Sequence, residues 1–265
     1  MELKQRETFT YKQIKDYMKC PLCYHIEHVK KKEVDTNYYK EHRRIASDEA
    51  MLSAITYYYF RLLENKPPTL KELYNKYYKE LAKRIDLPIG RDSLLNNITD
   101  DQTRSVTRNG YKWMRQFYEW NATTPQAIIA VKHPFQLVYD EIVVEDYFPL
   151  IREIQDEEGK RLVELVIFGQ TSKNSPKAST IDPSDTTVLL KGFQEVFGVN
   201  PDKFTIYSVE RAKTYEVYRN ESDLKRLETS FLGFYQSQKH VEPYQKLGAH
   251  PYHGKFKQYC DTYYH

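Results

Sequence analysis

The feature that most constrains this fold is a hydrophobic stretch near the middle of the chain. Residues Leu162–Lys173 read LVELVIFGQTSK and follow an acidic turn, Asp156–Gly159. The run of branched apolar residues predicts a buried strand that ends in a polar loop. Side chains alternate along a strand, so one face is shared by four residues: Glu164, Val166, Phe168 and Gln170. We expect this strand to lie in the middle of the sheet.

The first 122 residues predict helices and no strands. Capping boxes at Thr10–Gln13 and Thr69–Glu72 mark two helix starts. Pro21 is suited to begin a further helical segment, because its missing N–H costs nothing in a first turn. Amphipathic spacing predicts two longer helices, from Ser47 to about residue 65 and from Asp101 to about residue 121. We assign residues 1–122 to a helical part.

After residue 122 the composition favours strands. Four are predicted, the last two joined as a hairpin by the Glu-Glu-Gly turn: Ala127–Val131, Phe135–Val144, Phe148–Gln155 and Arg161–Phe168. A helix from Asp182 to Gly198, two strands, a helix and an irregular tail follow. The order predicts an α+β protein with an α/β core. Its helical part packs on the central mixed β-sheet of residues 123–265, and both parts form one compact unit.

The amino-acid composition says less about the class of protein than the order of the predicted helices and strands does. With 40% apolar and 29% charged residues, the chain fits a globular protein, and the net charge of +3 is too small to indicate nucleic-acid binding. The 24 tyrosines can stack on bases beside lysines, but they also serve as ordinary core residues. No apolar run approaches the roughly 20 residues of a membrane span. Three cysteines give no disulfide framework, so we expect a reducing cytoplasm.

Three segments together resemble the PD-(D/E)XK nuclease superfamily, in the RecB/AddB-type branch that includes CRISPR-associated exonucleases. They are TYKQIKDYMKCPLCYHIEHV at Thr10–Val29, the stretch Leu162–Lys173, and HPYHGKFKQYC at His250–Cys260. The resemblance implies a nuclease-type core over residues 123–265, with a C-terminal helix and tail. It also implies DNA cleavage that depends on Mg or Mn.

The catalytic pattern of that branch is degenerate in this sequence. An acid and a lysine are expected where Phe168 and Gln170 stand, and an aspartate is expected at Arg152 or, in a shifted register, at Asp146. Magnesium requires hard oxygen ligands, which a phenyl ring cannot supply. We therefore expect no catalytic residues, with Arg152 as a fixed cation in the metal's place. The alternative is a relocated Mg or Mn site that uses Asp146, Glu145 or Glu164.

The cysteines leave a second alternative open. In this branch, four cysteines hold an iron–sulfur cluster, and Cys20 and Cys260 match two of them. Cys23 and His265 would complete a four-ligand set, which tetrahedral zinc also accepts. Buried cysteines are common without a metal, so we favour no cofactor.

The resemblance and the degenerate motifs together predict a catalytically inactive, nuclease-like protein. We expect a phage-encoded protein that binds DNA or a protein partner in replication, recombination or virion assembly. It would act in the host cytoplasm or with the virion. The expected DNA contacts surround the former active-site mouth: Arg152, Gln170, Lys173 and Lys177. The alternative is an active metal-dependent exonuclease.

Overall fold

The structure is a computed structural model that describes residues 6–32, 38–87, 100–124, 126–139, 141–169 and 183–239, together with Phe256. The helices are α1 Tyr11–Lys19, α2 Pro21–Tyr24 (continued by a π-helical turn, His25–Val29), α3 Tyr38–Glu41, α4 Arg43–Leu63, α5 Leu70–Ile85, α6 Asp101–Thr123, α7 Pro183–Phe197 and α8 Glu221–Lys239. The strands are β1 Glu7–Thr10, β2 Gln126–Val138, β3 Ile142–Gln155, β4 Arg161–Gly169, β5 Lys203–Ser208 and β6 Lys213–Glu216.

The six strands form one mixed sheet. Strand β3 is antiparallel to β2 and β4, β4 is parallel to β5, and β5 is antiparallel to β6. Strand β4 therefore lies inside the sheet, as its apolar sequence predicts. The predicted α+β class is confirmed, because helices pack on a central mixed sheet.

Strands β1 and β4 share one edge of β3. Strand β2 pairs with β3 from Val143 to Ile154 and so occupies the opposite edge. On the shared edge, β1 runs parallel to residues 142–145, and β4 pairs with residues 150–155. Residues 146–149 of β3 lie between these two pairings, where no described strand covers that edge. The sheet thus forks at this point.

Two hydrophobic clusters flank the sheet and make three layers. On one face, α1, α7 and α8 pack against sheet residues such as Val144, Leu165 and Ile167. On the other face, α4, α5 and α6 pack against Leu150 and Val166. Because neighbouring residues of β4 belong to different clusters, this strand is buried on both faces.

The first 122 residues are not all helical, contrary to the sequence prediction. Strand β1 has four residues and pairs with β3, which lies far away in sequence. Helix α1 packs in the cluster that holds α7 and α8, whereas α4–α6 pack in the other cluster. Residue 122 therefore does not separate a purely helical part from the sheet.

The predicted break in the strands at Pro134 is also wrong. Pro134 lies within β2, and the chain turns later, where the Tyr139 amide donates to the Ile142 carbonyl at 2.9 Å. In the described part of the chain β2 pairs with β3 alone, and an edge strand tolerates a residue without an N–H. Four predicted strands are therefore three.

The capping boxes at Thr10 and Thr69 are confirmed, but Ser47 is not a helix cap. Helix α4 begins at Arg43, and Ser47 is buried within it, where its hydroxyl is 2.8 Å from that of Tyr77. Three apolar side chains of α4 and α7, at positions where helical spacing predicts the core face, are exposed: Leu52, Val196 and Phe197. Among the helices of the described ranges, none is both long and apolar enough to span a bilayer.

Candidate functional site

A buried ion pair includes Arg152, which stands where the resemblance expects a catalytic aspartate. Arg152 of β3 and Glu164 of β4 are directly opposite each other in the hairpin register. The Arg152 Nε donates to Glu164 Oε2 at 2.6 Å, and the two residues are only 2% and 3% exposed. The hydroxyl of Thr205, on β5, donates to Glu164 Oε1 at 2.7 Å. Both carboxylate oxygens of Glu164 thus already accept from protein donors.

The guanidinium of Arg152 extends this arrangement towards α6. Its Nη1 donates to Gln126 Oε1 at 2.7 Å, and Gln126 Nε2 donates to Asn121 Oδ1 at 2.9 Å. The Tyr59 hydroxyl also donates to Asn121 Oδ1, at 2.7 Å. Burial raises the pKa of Tyr59, so its hydroxyl keeps its proton and remains a donor. One hydrogen-bonded network therefore joins two layers of the fold, the sheet and the helices α4 and α6.

Aromatic rings enclose the ion pair. The Arg152 Cζ lies 4.7 Å from the centre of the Trp120 ring, which is a cation–π geometry, and Trp120 stacks on Tyr207 at 4.1 Å. The Phe168 ring packs against Tyr59 and Tyr207, with centroids 5.6 and 6.2 Å away. The Trp120 indole therefore covers the Arg152 guanidinium, and Phe168 belongs to the same group of packed rings.

The structure thus brings together three of the sequence-predicted site residues, Arg152, Glu164 and Phe168. Because Arg152 is buried and paired, it cannot reach a DNA phosphate, and its prediction as a DNA contact is corrected. Gln170, Lys173 and Lys177 lie outside the described residues, so their roles remain predictions. Sequence reasoning missed the remaining members of the network: Asn121, Gln126, Thr205 and Tyr59.

A second group of charged side chains lies at the fork of the sheet. Asp146 of β3 accepts from the Tyr147 amide at 2.9 Å. Burial raises the pKa of Asp146 to about 6; the negative charge of Asp185 adds to this effect, and Lys15 opposes it. Lys15 Nζ lies 2.5 Å from Asp185 Oδ2. Two carboxylates and one amine from α1, β3 and α7 are therefore grouped here, and this grouping was not predicted as a set.

The candidate cysteine ligands lie in a separate apolar cluster. Cys20 and Cys23 are buried with Leu22, Ile26 and Phe256. Cys20 caps α2, and its Sγ accepts from the Cys23 amide at 3.5 Å. The described residues thus supply two neighbouring sulfur atoms. Cys260 and His265 lie outside the described residues, so the four-ligand set for an iron–sulfur cluster or zinc remains a prediction.

A third cluster, Asp16, Glu27 and His28, holds ligand atoms within 4.8 Å of one another. Lys12 Nζ lies 2.5 Å from Asp16 Oδ2 and 2.7 Å from Glu27 Oε1, so an ammonium group already serves as their counter-ion. Burial alone would raise the pKa of Asp16, but hydrogen bonds from His28 and Lys12 lower it. This cluster is a structural ion-pair network, and the sequence patterns gave no indication of it.

Comparison of the sequence with models of protein families and with curated proteins finds no match. The geometry described above therefore carries the functional argument.

Proposed function

We propose that this protein is a nuclease-like protein of the RecB/AddB type that binds DNA without cleaving it. The observation that carries the proposal is the buried pair of Arg152 and Glu164, because Arg152 stands where a PD-(D/E)XK enzyme would hold a metal-binding aspartate. The hairpin β3–β4, the helix α7 and the parallel strand β5 support the resemblance stated from the sequence.

Electrostatics explains why this arrangement would not support hydrolysis. A catalytic Mg²⁺ needs hard oxygen ligands and an open coordination position for water or substrate. Here the guanidinium of Arg152 already supplies positive charge, and a second cation beside it would be repelled. Phe168 offers no lone pair, and its ring packs against Tyr59 and Tyr207. These three features favour a binding role over a catalytic one.

The proposal is tested by incubating labelled single-stranded and duplex DNA with the protein in Mg²⁺ or Mn²⁺. We expect intact DNA, together with binding that weakens steeply as salt rises, because phosphate contacts release counterions. Cleavage that EDTA abolishes would overturn the proposal. If the protein neither binds nor cuts DNA, a role in binding a protein partner, as in replication, recombination or virion assembly, replaces it.

A specific observation favours a second candidate function, an active metal-dependent exonuclease. Asp146, Asp185 and Lys15 meet at the fork of the sheet, and two acids with a lysine are the groups that the resemblance requires. This candidate predicts that Asp146→Asn and Asp185→Asn abolish metal-dependent cleavage. The matched control is Glu157→Gln, in the exposed hairpin turn.

Phage origin and a host-cytoplasmic or virion-associated location belong to this proposal. The odd number of cysteines, two of which are buried in an apolar cluster, supports a reducing compartment.

A further inference from the structure

Two adjoining cavities lie beside the paired strands β2 and β3. The larger has a volume of about 910 Å³ and is lined by the end of β1, the start of α1 and the paired strands β2 and β3. The smaller, of about 500 Å³, lies between α4 and the same strands. Both are lined by Lys132 and Tyr147. The two cavities therefore form one depression, the Lys132–Tyr147 groove.

The backbone of β2 is irregular at the point where the two cavities meet. Lys132 has a φ of 48°, a left-handed conformation that residues other than glycine rarely adopt. On one side of it, Val131 packs with the α4–α6 cluster; on the other, Phe135 and Leu137 pack with the opposite cluster. The odd-numbered side chains of β2 thus face one cluster before Lys132 and the other cluster after it. Its Nζ lies 5.2 Å from the centre of the Tyr147 ring.

The charges in the groove leave one lysine free for a ligand. Three acids line the groove, and each accepts a hydrogen bond: Glu145 from Gln136 at 2.8 Å, Glu49 from Arg84 at 3.1 Å, and Asp146 from the Tyr147 amide at 2.9 Å. Within the described ranges, no carboxylate forms an ion pair with Lys132. The groove thus presents a lysine that no described carboxylate holds in an ion pair.

Exposed aromatic rings stand on either side of the groove. Tyr147 is 45% exposed and Phe60 is 39% exposed, so both rings are open to a ligand. Tyr57 of α4 lines the same groove. Nucleic-acid bases stack on such rings whatever their sequence, because every base has a π-face. Duplex DNA hides its base faces, so this combination of rings and a cation suits a single strand.

We propose that the Lys132–Tyr147 groove binds single-stranded DNA, with bases stacked on Tyr147 and Phe60 and a phosphate at Lys132. The inference rests on the proposed DNA-binding function and adds the strandedness and the location of the contact. The groove lies apart from the buried Arg152, which has no access to a ligand.

The test measures the binding of a fluorescently labelled oligothymidine by anisotropy. We expect Tyr147→Ala to raise the Kd about 10-fold, the loss of one stacked base, and Tyr147→Phe to restore binding because it keeps the ring. Lys132→Gln should weaken binding and reduce the slope of log K against log salt by about 0.7. The matched controls, Tyr218→Ala and Lys213→Gln, change exposed residues outside the groove and should leave the Kd within about twofold of wild type.

The outcomes separate this inference from the function on which it rests. If wild type binds DNA and neither Tyr147→Ala nor Lys132→Gln weakens the binding, the groove is not the binding site. The proposed function then stands. If Tyr147→Phe binds as poorly as Tyr147→Ala, stacking is refuted. If wild type binds no DNA, both proposals fail. Circular dichroism of each variant establishes that the fold is retained before affinities are compared.

Discussion

Replacing Arg152 by methionine should destabilise the protein strongly. The substitution removes the 2.6 Å hydrogen bond to Glu164, the 2.7 Å hydrogen bond to Gln126 and the cation–π contact with Trp120. It leaves the Glu164 carboxylate 3% exposed, with Thr205 as its remaining donor. Breaking a buried ion pair by removing one partner costs about 3–5 kcal/mol. We expect the free energy of unfolding to fall by about that amount.

The measurement is urea-induced unfolding of wild type, Arg152→Met, Glu164→Met and the double variant. Replacing both partners removes the uncompensated charge, so the double variant should recover at least about 2 kcal/mol relative to Arg152→Met. The matched control lies in the same hairpin, where Arg161 and Glu153 form an exposed pair at 3.5 Å. Glu153→Gln should cost less than about 1 kcal/mol, because water screens that pair.

Two results would refute this reasoning. One is an Arg152→Met variant that loses no more stability than Glu153→Gln, which would mean that the pair is not buried as described. The other is strictly additive loss in the double variant, which would mean that Arg152 and Glu164 do not interact. Either result would also remove the observation on which the proposed function depends.

Three further predictions concern other parts of the fold. Thr69→Ala should cost about 1 kcal/mol in urea unfolding, because it removes the α5 capping box, whereas Thr69→Ser should cost little. Gly110→Ala should cost about 1–3 kcal/mol in the same assay, since its Cβ would lie 2.1 Å from the Tyr77 hydroxyl oxygen; an unchanged midpoint would contradict this packing. The pKa of Asp146 is raised from 3.8 to about 6, so the folded state holds its proton more tightly and loses stability as the pH rises through this range. Asp146→Asn should therefore gain stability relative to wild type between pH 4 and 7, by up to about 3 kcal/mol, and a pH-independent difference would contradict the shift.

Local signals in the sequence predicted the local structure well. The boxes at Thr10 and Thr69 satisfy backbone donors within a single turn, so they need no tertiary context. The hairpin β3–β4 was likewise readable from its turn. The β1 strand was missed because ETFT has too few residues for an alternating pattern. Its partner in β3 is also distant in the sequence, since Glu7 pairs with Ile142.

The candidate site was only partly predictable for the same reason. The hairpin turn fixes the register, so the pairing of Arg152 with Glu164 follows once Gln155 and Arg161 are taken as its last pair. Asn121 and Thr205 reach the site through the packing of α6 and β5, which no short-range pattern specifies. The aromatic surroundings depend on that same packing.

A single-turnover cleavage assay tests the central claim most directly. Protein in excess is bound to labelled single-stranded DNA, binding is verified, and Mn²⁺ is then added. The account predicts that the bound strand stays intact for hours. Shortened products that EDTA suppresses and Asp146→Asn eliminates would contradict it.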